Sequence, residues 1–446
     1  MARVRKKNVG LAVLTAIMFF AFVITIFVGV LCAKKDEEVA EKTIPTIKIS
    51  LLNTTLDEIH ENGKNVKYGG NKVEIFDNGI TIFYDDVEFK GRGNFSWAID
   101  KKSYRLKFNE KVNLLGLGEK RKWALVGNGI DDSLMRNDLA YFMADLLGRE
   151  YKMEGRFVEL VVDDENLGVY YLIKTLEIDN LAMDLREPDG VLAEVDNVYC
   201  QEEESFWVAN NGDCITVKDI VTEDRRAEVM EDFMAGYNEL LTAISARDFK
   251  KASKVVDMES FARYFVFSEF VADPDAYVTS WYFYKDGSGD KIHAGPVWDF
   301  DAAFGNRSWG KWPEGFYAPD TSMARFEYTY DKKEQSERVC LYDKKKPLQD
   351  TVKVSWVMCD LLEMPEFREL AQGVYEREFK GKEDEIIAHI YDVARELGGS
   401  AREDAKKWGK NDFDEEAAYL VWWVKERFKF FESFVGFGGA AARTDE

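Results

Sequence analysis

Histidine is nearly absent from this chain: three occur in 446 residues. His60, His293 and His389 lie far apart and form no metal-ligand spacing, which argues against a zinc enzyme built on several histidines. A Ser-His-Asp hydrolase would have to recruit one of these three. Positive charge is also scarce. Sixty Lys and Arg face 82 Asp and Glu, for a net charge of −22. A surface this acidic repels phosphate backbones, so nucleic acid is not an expected partner. There is no GxxxxGK[ST] loop, which disfavours a P-loop nucleotide site. No internal repeat and no long low-complexity run occurs. What is left for chemistry is carboxylates, lysines and a hard metal such as Mg²⁺.

Hydrophobic residues make up 46% of the chain and aromatic ones 14%, enough for a large aromatic-rich core. Arg3, Arg5, Lys6 and Lys7 precede an uncharged run from Leu11 to Cys32. As a helix this run spans about 33 Å, enough for a bilayer core. The alternative is a cleaved signal peptide with a secreted body, but the run is long for one and a small-x-small cleavage site is lacking. The reading is residues 1–10 as a basic cytoplasmic segment, 11–32 as a single-pass signal anchor and 33–44 as a tether. The basic flank then places the body outside the cell membrane. In that oxidising space Cys200, Cys214, Cys340 and Cys359 allow three pairings, with four buried thiols as the alternative. Cys200 and Cys214 lie near opposite arms of an expected hairpin and form the expected disulfide.

From Ile44 the pattern is strand-like. Thr46–Ser50, Val73–Phe76, Ile80–Tyr84 and Lys102–Phe108 alternate, pointing to an antiparallel twisted sheet. Ser133 is placed to cap a helix that ends at Gly148. Hairpins follow at 157–173 and around Val191–Val195 with Ile215–Lys218. Helices are expected from Asp224 to Ile244 and from Met258 to Val271, then a strand pair at 277–284 and 292–298. Beyond about Lys345 the periodicity is helical almost to the end. The fold class is therefore α+β, strand-rich first and helical last, with a cleft between lobes. The core is placed at 45–330, with 331–446 as a helical region of the same domain.

Three sets of residues stand out. In Gly295-Pro296-Val297-Trp298-Asp299-Phe300-Asp301, Asp299 and Asp301 share a face if the segment is extended, and a divalent cation would relieve their repulsion. In Glu269-Phe270-Val271-Ala272-Asp273-Pro274-Asp275, Asp275 can receive an acceptor hydroxyl proton while Asp299 holds metal. Ser280 follows five residues later, where protein kinases place a metal-binding Asn. The basic set is Arg92 between two glycines that let backbone approach a ligand, Lys101, Lys102, Arg105 and Lys107 on one strand, and Lys218. Arg92, Lys102 and Lys218 are the candidates for nucleotide phosphates.

Taken in order, several segments resemble the spore-coat protein H (CotH) kinase family. They are Lys90–Asn94, Lys101–Lys107, Trp123–Leu125, Asp131–Asn137, Val158–Leu160 with Gly168–Tyr170, and Gly295–Asp301. The resemblance runs from about Pro45 to at least Gly305. It implies an atypical protein-kinase-like fold, use of ATP with Mg²⁺ or Mn²⁺, and transfer of phosphate to Ser/Thr hydroxyls of a protein substrate. By position Asp275 resembles the catalytic Asp and Asp299 the metal-binding Asp, while Lys102 and Lys218 resemble lysines near the nucleotide. Two departures stand out. Ser280 replaces an Asn of some members, and Lys174 a Glu of many members, so Glu177 or Glu194 would have to orient the nucleotide lysine. The alternatives are a catalytically inactive nucleotide-binding surface or coat assembly protein, and a carboxylate glycan hydrolase.

Overall fold

The computed structural model describes residues 44–433 apart from 149–150, 152, 182, 184, 187, 274, 307–312, 314–325, 328–338 and 341–354. The expected anchor at 11–32, the tether up to residue 43 and the glycine-rich tail lie outside the described residues. Among the described residues no helix is long and apolar enough to cross a membrane.

The first strands do more than form an antiparallel sheet: they close into a barrel. Seven strands take part: β1 (Thr46–Ser50), β2 (Tyr68–Asp77), β3 (Ile80–Arg92), β4 (Ser103–Asn113), β5 (Glu119–Val126), β6 (Gly155–Val162) and β7 (Glu165–Lys174). Their spatial order is β1-β2-β3-β4-β5-β7-β6, and a parallel pairing of β1 with β6, Thr46 opposite Glu159, closes the ring. Alternation in each strand aims one set of side chains inward. Ile47, Ile75, Phe89, Leu106, Trp123 and Leu172 are fully buried in this interior. Each such side chain contributes about 1.5–3 kcal/mol by leaving water, and closure satisfies backbone groups that an open edge would expose.

The second sheet is five-stranded and antiparallel throughout. It comprises β8 (Val191–Val195), β9 (Phe206–Val208), β10 (Cys214–Ile220), β11 (Trp281–Lys285) and β12 (Ile292–Ala294), in the order β12-β11-β8-β10-β9. The expected hairpin of Val191–Val195 with Ile215–Lys218 is the β8–β10 ladder, and Cys200 and Cys214 are joined as a disulfide. Cys359 is buried.

Helices pack against both the barrel and this sheet. After α1 (Leu56–Asn62) and the short α2 (Phe95–Ala98) come α3 (Arg136–Leu146), α4 (Ile178–Leu181), α5 (Arg226–Ser245), α6 (Phe249–Val255) and α7 (Met258–Val271). The C-terminal part is helical as expected: α8 (Val357–Leu362), α9 (Pro365–Val374), α10 (Glu383–Trp408) and α11 (Phe413–Ser433).

Ser133 is not the cap residue of α3, which starts three residues later. The buried Asp131 carboxylate instead accepts from the N–H groups of Ser133 and Arg136 and from the Arg136 guanidinium. A carboxylate at a helix start also meets the positive end of the helix dipole. At the other end of the site, α7 stops at Ala272 in a left-handed conformation (φ 51°). The buried Arg427 of α11 donates to the carbonyls of Glu269 and Phe270 there, and the Phe304 N–H donates to the Val271 carbonyl at 2.8 Å. A cation on the last carbonyls of α7 fixes the direction in which the chain leaves toward Asp273 and Asp275.

Candidate active site

Two turns of the chain meet beside β11. One is 273–280, between α7 and β11; the other is 295–306, after β12. Neither is the strand that alternation predicts. Tyr277 and Ser280 are left-handed (φ 65° and 53°), β11 begins only at Trp281, and β12 ends at Ala294. Asp299 is also left-handed, with φ 73°. The idea that Asp299 and Asp301 share a face of an extended segment is therefore corrected: a turn, not strand parity, sets where they point.

That turn is held from α3. Asn137 Oδ1 accepts from the Phe300 N–H at 2.8 Å, and Asn137 Nδ2 donates to Asn128 at 3.0 Å. Asn306 donates to the carbonyls of Ile130 and Asp301 at 2.9 and 2.6 Å. The Asp299 N–H donates to the Tyr141 hydroxyl. These contacts give the Asp131–Asn137 segment its part in the site: it is the wall against which the Asp299 turn is fixed.

Asp299 is an exposed residue of the turn. Loss of water around it raises its pKa, and the Arg92 charge lowers it again in part. Arg92, on the last residue of β3, lies 4.9 Å over the Trp298 ring. The glycines beside it serve the fold instead of a ligand. A Cβ on Gly91 would fall 2.4 Å from the Trp97 ring, and Gly93 takes φ 89° to enter α2.

Asp273 was not singled out by sequence, although it lies two residues before Asp275. It is buried, and that burial, followed by the charges of Asp275, Asp299 and Asp301, holds its carboxyl well above the ordinary range. Its Oδ1 accepts from the Asp275 N–H at 3.1 Å. Four carboxyl groups from two separate turns thus act on one another.

On the neighbouring strands Lys218 of β10 and Glu194 of β8 form an ion pair at 2.5 Å. Burial pushes Glu194 up to about 7 against the pull of Lys218, while Glu194 holds Lys218 above its usual value although burial alone would lower it. The strain falls on the carboxylate because its side chain is 4% exposed and the lysine's is 24%. Glu194 also accepts from the Ser280 N–H at 2.9 Å and from the Tyr282 hydroxyl, which feels the charges of Asp299 and Arg92. Of the two glutamates named as substitutes for the family Glu, Glu194 therefore pairs with Lys218, whereas Glu177 pairs with Lys122 at 2.9 Å.

The structure thus links Arg92, Lys218, Asp275, Ser280, Asp299 and Asp301. Lys102 lies elsewhere: its ammonium donates to the carbonyls of Trp97 and Ile99 at 2.9 and 3.0 Å, and its charge acts on His60. Lys101 forms a buried ion pair with Asp404 of α10. Among the described residues no three His, Cys, Asp or Glu side chains are arranged to hold a metal by themselves. Mg²⁺ at phosphate-transfer sites takes only one or two carboxylates and completes its shell with phosphates and water, so Asp299, an exposed residue, fits that use.

A family model described as "CotH kinase protein" matches residues 89–431, more than half of the chain. The match takes in both turns, the Lys218–Glu194 pair and the C-terminal helices. A search of curated proteins gives no match.

Proposed function

The chain belongs to the CotH kinase family, and on that premise we propose that it transfers the γ-phosphoryl group of ATP to Ser or Thr hydroxyls of a protein acceptor, with Mg²⁺ or Mn²⁺. The observation that carries this reading is the ion pair of the half-buried Lys218 with the buried Glu194, standing beside an acidic turn that faces Arg92. A lysine held by a glutamate, with a carboxylate for metal nearby, is the set of parts that phosphoryl transfer needs, because positioning and charge neutralisation dominate its rate.

Lys218 and Arg92 would hold phosphate oxygens, and Glu194 keeps Lys218 aimed. Asp299, with Asp301 and Ser280 beside it, would hold the divalent ion, which neutralises charge on the phosphates when bound. Asp275 orients the acceptor hydroxyl and takes its proton. The acceptor oxygen forms a bond to the γ-phosphorus, the bond from that phosphorus to the β-γ bridging oxygen breaks, and ADP leaves with the electron pair. Burial, followed by the charges of Asp275, Asp299 and Asp301, raises the pKa of Asp273 and so disfavours a further negative charge beside the phosphates.

The same reading sets the protein at a cell membrane, anchored by residues 11–32, with its body outside and surface or coat proteins as acceptors. Protease treatment of intact cells should digest the body; full protection would overturn that topology. The kinase reading is tested with the purified full chain, labelled ATP, Mg²⁺ or Mn²⁺ and a panel of Ser-rich proteins. Label on serine or threonine supports it. Metal-dependent ATP binding without transfer would make the protein an inactive nucleotide binder, with Ser280 and Lys174 as the departures to revert first.

A further inference from the structure

A non-glycine residue in the left-handed region costs about 1–2 kcal/mol and persists only where its surroundings hold it. The 273–280 turn has two, Tyr277 and Ser280. What holds it is a loop that follows β8. The Asn197 N–H donates to the Val278 carbonyl at 2.8 Å, and the Thr279 hydroxyl donates to Asp196 Oδ1 at 2.9 Å. The same oxygen of Asp196 accepts from the N–H groups of Val198 and Tyr199 at 3.1 and 2.9 Å.

This loop is fastened equally to β10, the strand of Lys218. The Asp196 N–H donates to the Cys214 carbonyl at 2.9 Å, and the Cys214 N–H donates to Asn197 Oδ1 at 2.8 Å. The Cys200–Cys214 disulfide closes the connection. A second tie runs through the buried Asp213, which accepts from Asn197 Nδ2 at 3.3 Å and from the Ser355 hydroxyl at 2.6 Å. The Ser355 N–H in turn donates to the Tyr277 carbonyl at 2.6 Å. The turn that carries Asp275 is thus joined to the strand that carries Lys218 by side chains that touch neither nucleotide nor acceptor in the proposed reaction.

We infer that Asp196 and Asn197 are positioning residues for phosphoryl transfer, and that the Cys200–Cys214 disulfide makes their grip depend on an oxidising environment. The activity arm of this inference rests on the kinase reading; the structural arm does not. A dithiol reductant supplies two electrons and two protons, the S–S bond becomes two thiols, and the reductant closes to its own disulfide. The loop that holds the turn then loses its covalent clamp to β10.

The test uses the full chain purified from an oxidising compartment, before and after dithiothreitol, with Cys200→Ser/Cys214→Ser, Thr279→Val and Thr279→Ser. Phosphate transfer, Mg²⁺–ATP binding and amide hydrogen exchange at Val278 and Thr279 are measured on each. Reduction, the double serine variant and Thr279→Val should each speed exchange in the turn. They should lower kcat by about tenfold or more while the Kd for Mg²⁺–ATP stays within about twofold, as expected when alignment alone is lost. Thr279→Ser keeps the hydroxyl and should retain both properties. Thr279→Val covers the case in which the double serine variant fails to fold. Unchanged exchange, or faster exchange with unchanged kcat, overturns the inference. Faster exchange in a protein that never transfers phosphate supports the brace and removes the kinase reading instead.

Discussion

The barrel and the second sheet are both built from alternating strands, yet they carry different burdens. In the barrel, β1 to β7 spend nearly all their inward positions on apolar contact, and Arg92, at the end of β3, is the barrel residue whose charge acts on Asp299. The second sheet buries Glu194 and, beside it, the turn carrying Asp273. It holds them through ion pairs and hydrogen bonds whose partners come from three separate strands and two turns. A scaffold of apolar layers tolerates change by repacking, whereas a buried polar group is costly once a partner is removed. Loss of apolar volume in the barrel should therefore show in stability alone, and loss of a polar partner around the second sheet in activity as well.

The largest effects should come from the acidic turns. Asp299→Ala should abolish metal-dependent ATP binding along with transfer, by calorimetry and labelled-phosphate assay. Asp275→Asn should keep nucleotide binding and lose about 10²–10⁴ in kcat, the usual range for a positioned acid or base. Equal loss of binding in both variants would erase the division of roles between the two turns.

Next come the barrel and its tie to α10. Trp123→Ala should cost about 3–5 kcal/mol of stability in urea melts, with kcat per folded molecule little changed. Lys101→Met leaves Asp404 as a buried unpaired carboxylate and should cost about as much, while adding Asp404→Leu should recover most of the loss. Failure of that recovery would mean that the pair does more than join barrel to helix.

The smallest effect is a pH dependence on the barrel wall. Lys90 sits opposite Arg105, and burial followed by that neighbour's charge lowers its pKa from 10.5 to about 8. The folded state therefore binds fewer protons than the unfolded chain between about pH 8 and 10.5, so this site's destabilising contribution is full below about 8 and fades as pH rises. Lys90→Met should raise the melting temperature at pH 7 by an amount worth under about 1 kcal/mol, since the group is half-exposed. The gain should vanish near pH 10.5. A gain that grew with pH would contradict the direction of the shift.

Much of this molecule can be read along the chain. The helix Met258–Val271 was expected with the bounds it has, the β8–β10 hairpin and its Cys200–Cys214 bridge followed from alternating arms, and the helical end followed from period alone. Lys218, Asp275 and Asp299 were legible because short motifs mark them. Asp273 was missed because nothing local tells a buried carboxyl from a solvated one; its state is set by burial and then by the charges of Asp275, Asp299 and Asp301, two of them more than 20 residues away. Lys101 fell into the basic set because its partner, Asp404, lies about 300 residues on, beyond any local pattern.

The sequence by itself determined which residues face inward, where helices run and which acids flank turns, because side-chain period and turn chemistry act over a few residues. Only the tertiary structure decided three things: that β1 meets β6 in parallel to close the barrel, that Glu194 is the carboxylate beside Lys218, and that Asp299 leaves the strand path. Each of these depends on groups far apart in the chain losing water together. Burial and pairing are properties of that assembled neighbourhood, and no single segment contains them.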